Sequence, residues 1–555
     1  MELATQSEFD EVLNHHHNIQ YVDFIFADLC GYIRGKRVPI LEATKVFKEG
    51  LLMPFSAFYL DVLGGVSNVK SLGWPDGDPD GVLLPISKSI KPVPWDDRIL
   101  QVMISLADRQ QKWGVIQNPS EVDPRNMLKK IIKKFEGTGW NPVVAFELEF
   151  YLFDKKRDNE GKPVVALGQD KTQVYGIADL DIFRDLLHEI NENCKIQNVP
   201  ATNATSEFSP GQLEVNLRHG GDLLKAADDA AMLRRIIKET SSRYGFDASF
   251  MAKPYLDHTG SGQHLHISCY DDTGKNIFAT KNRYGNDFLK YAISGFQETF
   301  YDSFPIFIPN VNGFRRIQTR NFVPVNKSWS WNRRDVSLRI PAGSDSSKRI
   351  EHRVASADAN PYLVLACILA GLHYGLTKKQ MPTNQISFDN KEDQFSDYRL
   401  LNYDILTQYM QKYFSPSIEI ENIGKRIENK YNIDYNNTVV VFYRGLDKSQ
   451  ETKVVSYESY LEQVNNIKES KYDIHFLQVN SMFTSSANKL IRIRLSNDGG
   501  SSFINSGYQH GYQILQSDSN FNENRSTSET FINVHTNVGT VLVESANYYV
   551  YFYNL

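Results

Sequence analysis

The chain has 555 residues, a formal charge of −5, 41% hydrophobic and 23% charged residues. This is a globular composition with material for two to four domains, and the charge gives no electrostatic case for nucleic acid or an anionic membrane surface. Four scattered cysteines, Cys30, Cys194, Cys269 and Cys367, make no C-x-x-C pair and argue against a disulfide framework or zinc knuckle. The start MELATQSEFDEV has no apolar signal core, and the longest apolar stretch, PYLVLACILAGLHYGL, is too short for a bilayer, so a cytoplasmic location is expected.

In chain order, His15, His16 and His17 come first; adjacent residues do not converge in a regular element, so they read as a solvated helix end rather than a metal site. QYVDFIFADLCGYIRGKRVPI predicts a β-hairpin with Gly31 near its turn, and GWPDGDPDG (73–81) predicts a loop. VDPRNMLKKIIKKFEGTG (122–139) predicts a helix with Asp123 as N-cap, Pro124 at its first position and Gly137 as stop. NPVVAFELEFYLFD, GQLEVNL and GQHLHISCY predict strands; GGDLLKAADDAAMLRRIIKETSSRYG and NPYLVLACILAGLHYGL predict helices. Together they predict an α+β domain on an antiparallel sheet. Of 21 prolines only Pro416 lies beyond Pro382, and all six tryptophans lie at or before Trp331, which places a boundary near 380–395.

FELEF sets Glu147 and Glu149 two apart in a strand, hence on one face. Two carboxylates side by side on an apolar strand are costly without cations or solvent. Glu214, Glu207 seven residues earlier, Glu351 and, on one face of the GQHLHIS strand, His264 and His266 extend the set. Oxygen-rich ligands of this kind suit Mg²⁺ or Mn²⁺ better than structural zinc. NRRDVSLRIP, SSKRIEHRV and GFRRI add Arg334, Arg339, Arg349, Arg353 and Arg316, the residue type for planar carboxylate and phosphate recognition. Metals with arginines suit phosphoryl transfer, and no Walker A or kinase signature accompanies them.

The motifs DLCGYIRGKRVP, FELEFYL, EFSPGQLEVNL, KPYLDHTGSGQHLHIS, NVNGFRRI and NRRDVSLRIPAGSDSSKRIEHRVASADANPYLVLACILAG resemble, in order over residues 18–380, the glutamine synthetase superfamily. They look most like the bacterial γ-glutamylpolyamine (γ-glutamylputrescine) synthetases. The resemblance implies a small N-terminal β-grasp domain (18–115) after a lead (1–17), and a catalytic domain on a curved antiparallel half-barrel sheet with flanking helices (120–382); the composition boundary sets off a separate C-terminal segment (395–555) of α/β type and uncertain nature. The resemblance also implies that Glu149, Glu207 and Glu214 hold one divalent ion, and Glu147, His264 and Glu351 another, with two or three ions per site. Arg339 and Arg349 would face the phosphates of ATP, Ser268 would lie near the nucleotide, and Arg334 would stabilise the transferring phosphoryl group. Arg316 and Arg353 would clamp glutamate, with Gly260 and His266 lining its pocket. Asp28 would be donated to a neighbouring subunit's site in a hexameric or dodecameric ring. The implied reaction activates the γ-carboxylate as γ-glutamyl phosphate and passes it to an uncharged amine.

Ammonia-using members carry a glutamate where this chain has Phe322. That departure favours an alkylamine or polyamine such as putrescine, which an aromatic ring can contact, although a simple core aromatic is the blander alternative. Other readings are an ammonia-using glutamine synthetase, a non-catalytic sensor, or an inactive fusion lacking the family's C-terminal packing elements. In the tail, TVVVFYRGLDK resembles the sugar-nucleotide motif of fucosyltransferase-like enzymes, with Arg444 on the diphosphate, Asp447 and Lys448 beside it, and Phe442 where a histidine is usual. FINVHTNVGTVLVESANYYVYFYNL predicts further strands.

Overall fold

Gly31, at φ +74°, supplies the left-handed backbone that turns β1 (Tyr21–Ala27) into β2 (Ile33–Pro39), the expected antiparallel hairpin. The computed structural model describes residues 3–66, 77–107, 122–317 and 322–386, and seven strands between 439 and 553. By contact the chain divides into units 1–408 and 409–555.

β3 (Leu51–Pro54), β4 (Asp80–Pro85), β5 (Lys91–Val93) and β6 (Asp96–Leu106) complete the first sheet, in the order β2-β1-β6-β4-β3 with β5 on β6. β1 runs parallel to β6. Alternation along β1 serves two cores at once. Val22, Phe24 and Phe26 pack with Phe9, Phe55 and Phe58, whereas Ile25 and Ala27 face the large core of the second sheet. Helices Gln6–His15 and Ile40–Glu49 cover this sheet. His15 closes the first of them, its Nδ1 donating to the Glu11 carbonyl at 2.9 Å, so the histidine run sits at an exposed helix end as expected.

The second sheet is built on the seventeen-residue β7 (Asn141–Arg157). Added to it are β8 (Pro163–Val165), β9 (Ala201–Ser206), β10 (Gln212–Leu217), β11 (Phe246–Ser249), β12 (Gln263–Tyr270), β13 (Trp329–Trp331), β14 (Leu338–Ile340) and β15 (Ile350–His352). Their order is β13-β14-β15-β12-β7-β10-β9, with β8 and β11 also on β7. Its pairings are antiparallel, as expected, except the short parallel β13–β14 edge. The sheet is curved, with Phe146, Leu148 and Phe150 of β7 buried on its convex face. Helices Leu223–Arg243 and Pro361–Lys378 pack there, the second with an interior face of Leu365, Leu369, Leu372 and Leu376.

Local signals placed the helix ends well. Asp123 caps Pro124–Ile132, accepting from the Arg125 and Asn126 amides, and its other oxygen takes the Ser105 hydroxyl and the Leu106 amide. A 3-10 turn carries that helix on to Phe135, just short of Gly137. Asn360 caps Pro361–Lys378 in the same way. No helix among the described residues is long and apolar enough to cross a membrane.

In the second unit, Val439–Arg444 pairs parallel with Val479–Asn480 and antiparallel with Asn547–Tyr553, which pairs in turn with Tyr508–Leu515 and through it with Phe521–Glu529. Ile491–Ile493 and Ile532–His535 form a separate antiparallel pair. The strands expected from TVVVFYR and from the last residues are present; Asp447, Lys448 and any helices of the α/β-type segment lie outside the described residues.

Candidate active site

Register delivers the polar cluster. Across β7, Glu149 lies opposite Glu214 of β10 and Glu147 opposite His264 of β12; across β12, His266 lies opposite Glu351 of β15, which in turn faces Arg339 of β14. Period-two alternation sends all of these to the concave face while their apolar neighbours pack beneath. Glu207 sits one residue beyond β9, with its amide on the Gln212 carbonyl at 3.0 Å. Ser268 follows His264 and His266 on the same face of β12.

Ligand atoms of Glu147, His264 and Glu351 lie within 4.8 Å of one another, and so do those of Glu149, Glu214 and His264. Hydrogen bonds fix the imidazole tautomers. Arg349 Nε donates to His266 Nδ1 at 3.1 Å, so His266 Nε2 carries the proton it gives to Glu147 Oε1 at 2.8 Å. His264 Nδ1 faces Glu147 Oε2 at 3.3 Å, which leaves the Nε2 lone pair aimed toward Glu149 Oε1, 3.8 Å away. The other Glu149 oxygen accepts the Gly262 amide at 2.7 Å.

Like charges in a half-dry pocket carry an electrostatic cost that shows in the acidities. Burial and the charge of Glu149 push Glu207 up to about 8. Burial and the carboxylates of Glu147, Glu149 and Glu207 push Glu214 well above the carboxylate range. Burial acts the same way on Glu147 and Glu351, but is outweighed: His264 and His266 hold Glu147 well below its ordinary value, and Arg353 with the two histidines holds Glu351 down to about 2. Carboxylates pushed up by one another are the groups that a divalent cation would discharge, and an oxygen-rich set with one imidazole fits a hard ion. The donor set therefore fits divalent metal.

Arginines wall the cluster. Arg339 Nη1 donates to Glu351 Oε2 at 2.6 Å and Nη2 to Asn332 Oδ1 at 2.8 Å. Arg353 bonds the other Glu351 oxygen, the Arg334 carbonyl at 3.0 Å and the Phe322 carbonyl at 3.3 Å. Arg334 is exposed and donates to the Tyr175 hydroxyl at 2.7 Å. Arg316 is buried; two donors reach the Val354 and Arg353 carbonyls at 2.9 and 3.3 Å, and Nε has no partner among the described residues. Burial pulls its acidity to about 10. Gly260 and Gly262 are required by close approach: a Cβ at Gly260 would stand 2.6 Å from Arg316 Cγ, and one at Gly262 would stand 2.5 Å from Arg316 Nη2 and 2.9 Å from His264 Nε2.

Asp28 does not join the cluster. Within this chain its side chain is fully buried in the hairpin turn. One oxygen accepts the Tyr32 amide at 2.8 Å and the other Arg34 Nε at 2.6 Å, and its carbonyl accepts Asn360 Nδ2 at 2.8 Å. Its carboxylate thus holds the hairpin turn, and its backbone carbonyl links the first sheet to the cap of helix Pro361–Lys378. Phe322 is half-exposed, not the core aromatic of the blander reading, and sits at φ +52°. Sequence reasoning missed Tyr175, Asn332 and Phe208. Tyr175 and Asn332 share positive φ with Phe322, and no periodic pattern announces such positions.

A carboxylate and histidine set that could hold cations, on a curved antiparallel sheet and ringed by arginines, suits a ligase. The chain belongs to the glutamine synthetase family: the family model for the glutamine synthetase catalytic domain matches residues 121–406. The chain is 37% identical over 415 residues to the γ-glutamylputrescine synthetase of Escherichia coli (strain K12), covering 74% of this chain and 86% of that one. It is 31% identical to the glutamate–isopropylamine ligase of a Pseudomonas species, over 67% of this chain and 81% of that one. The solved structure of ligand-free GmaS shares the fold, with a TM-score of 0.59 at 21% identity, covering 76% of this chain and 96% of that one. The chain is accordingly a glutamate–amine ligase of glutamine synthetase type, in a family that uses ATP and divalent cations.

Proposed function

We propose that this enzyme joins the γ-carboxylate of glutamate to an alkylamine or polyamine such as putrescine, with Mg²⁺ or Mn²⁺, two or three ions per site. The observation that carries it is the pair of ligand triads sharing His264, beside which burial and neighbouring carboxylates push Glu207 and Glu214 up. Relatives named for putrescine and isopropylamine support the amine class.

Glu149, Glu207 and Glu214 would hold one ion and Glu147, His264 and Glu351 the other; when bound, the ions neutralise charge on the nucleotide's phosphates. Arg339 and Arg349 approach from the β14–β15 side, where they would meet the nucleotide, with Ser268 next along β12. Arg334, on the exposed side near Glu207, is suited to the transferring phosphoryl group. Arg316 and Arg353, with Gly260 and His266, form the glutamate wall. The chemical reason for two stages is that a carboxylate cannot expel oxide, whereas a γ-glutamyl phosphate expels phosphate. The amine must attack uncharged, so a carboxylate near it lowers the cost of losing its proton. A cytoplasmic setting suits four free cysteines, and a ring oligomer of six or twelve copies is proposed.

Purified protein with ATP, Mg²⁺ and glutamate is expected to release phosphate with putrescine far faster than with ammonium or no amine. Equal release with ammonium would move the enzyme to the ammonia-using class, and no release with any amine would reject the ligase reading.

A further inference from the structure

Beside Glu207 lies a surface that the metal and phosphate chemistry leaves unused. Phe208 and Phe322 are 44% and 52% exposed, and their rings meet at 5.7 Å between centroids, tilted by 33°. Two half-exposed phenylalanines in contact make a continuous apolar shelf, and water-facing aromatic area of this kind at the mouth of a polar site is costly unless something covers it.

Contacts on both sides anchor the shelf. Phe208 lies in the turn between β9 and β10, where the Glu207 amide is paired, Ser209 is 4% exposed, and the Ser209 hydroxyl contacts Thr259 Oγ1 at 2.8 Å and accepts the Thr259 amide at 2.9 Å. Phe322 is kept at φ +52° while its carbonyl accepts from Arg353, whose guanidinium also bonds Glu351. Tyr175, at φ +62°, anchors to the Ser206 carbonyl at 2.9 Å and presents its hydroxyl to Arg334. Bulky side chains in the left-handed region are strained positions that persist where surrounding contacts over-determine them, and such positions gather at binding sites. Each ring is thus tied to a group of the reacting centre: Phe208 through the adjoining Glu207, and Phe322 through Arg353 and Glu351.

The geometry points to Phe208 and Phe322 together as the seat of the acceptor's carbon chain, so that the enzyme selects primary amines by the length of their methylene run. This rests on the glutamate–amine ligase reading and adds to it the specificity-determining partnership of Phe208. The amine end of the acceptor lies against Glu207, whose carboxyl is next to the shelf along the backbone, and the methylenes lie on the two rings. A fully buried methylene changes binding by up to about fourfold in affinity, and a shelf open on one side gives roughly twofold. Between methylamine and butylamine the expected rise in kcat/KM is therefore about tenfold, most of it in KM.

The test measures γ-glutamyl amide formation by mass spectrometry for methylamine, ethylamine, propylamine, butylamine and putrescine, using the full chain and the variants Phe208→Ala, Phe208→Leu and Phe322→Ala. In the native enzyme kcat/KM should climb with chain length. Either alanine variant should flatten the butylamine-to-methylamine ratio to within about twofold, and Phe208→Leu, which keeps an apolar surface, should retain most of it. Thermal melting of each variant separates misfolding from altered preference, and the ratio is insensitive to the fraction of active enzyme. Native-like ratios in both alanine variants, with amides still formed, would overturn the shelf while leaving the ligase intact. Absence of amide from the native enzyme with every amine would remove the ligase reading itself, and the shelf with it.

Discussion

Removing divalent cations should make the stability of this protein fall as pH rises from 6.5 to 7.5, and restoring Mg²⁺ should abolish the fall. Glu207 ionises near 8 in the folded protein against an ordinary 4.5. Between those values the folded state keeps a proton that the unfolded chain has released, so stability declines with rising pH. One such group gives a slope of roughly 1.4 kcal/mol per pH unit across that window. Glu214, pushed up by burial and the same neighbours, adds to it. His352 has the opposite sign: burial holds it down to about 3, so its contribution grows with pH through the ordinary 6.5 and levels off toward 7.5, offsetting only a small part of the fall. The range 6.5–7.5 is therefore dominated by the carboxylates. A cation among them replaces the protons, so Mg²⁺ binding should release between one and two protons at pH 7. Urea unfolding of chelator-treated protein at the two pH values, with and without Mg²⁺, measures the slope. Calorimetric titration of Mg²⁺ in buffers of differing ionisation heat counts the protons. A metal-free stability that is flat or rises with pH, together with Mg²⁺ binding that releases no protons, would refute the reasoning.

Asp28→Asn should lower stability by about 1–2 kcal/mol, read from the urea midpoint, because the fully buried side chain loses its charged acceptor toward the partly exposed Arg34. Gly260→Ala should raise the KM for glutamate about tenfold with ATP binding retained, since the added carbon meets Arg316 and the Ala252 carbonyl at 2.6 and 2.7 Å; steady-state kinetics at varied glutamate check it. Asp123→Ala should cost about 2–3 kcal/mol in unfolding free energy, because the cap of one helix and the Ser105 and Leu106 contacts go together.

Where chemistry rides on alternation, it was legible in the chain. FELEF and GQHLHIS place their polar residues every second position, and antiparallel pairing then brings His264 opposite Glu147 without further information. Caps were equally readable, because Asp123 and Asn360 act on amides two or three residues away. Asp28 shows the limit: a motif aligned it with a family position, but its carboxylate turns toward the Tyr32 amide and Arg34, and its carbonyl meets Asn360, 332 residues distant, neither of which a motif announces. Phe208, Tyr175 and Asn332 were invisible for a related reason. Their importance comes from exposure and from backbone angles set by tertiary contacts, which leave no periodic trace.

The central claim, that a terminal phosphoryl group meets the γ-carboxylate of glutamate at these six ligands, is tested most directly by oxygen transfer. Glutamate labelled with ¹⁸O in its γ-carboxylate, turned over with ATP, Mg²⁺ and putrescine, should yield phosphate carrying one ¹⁸O per molecule and an amide retaining the other. Unlabelled phosphate formed alongside the amide would contradict it.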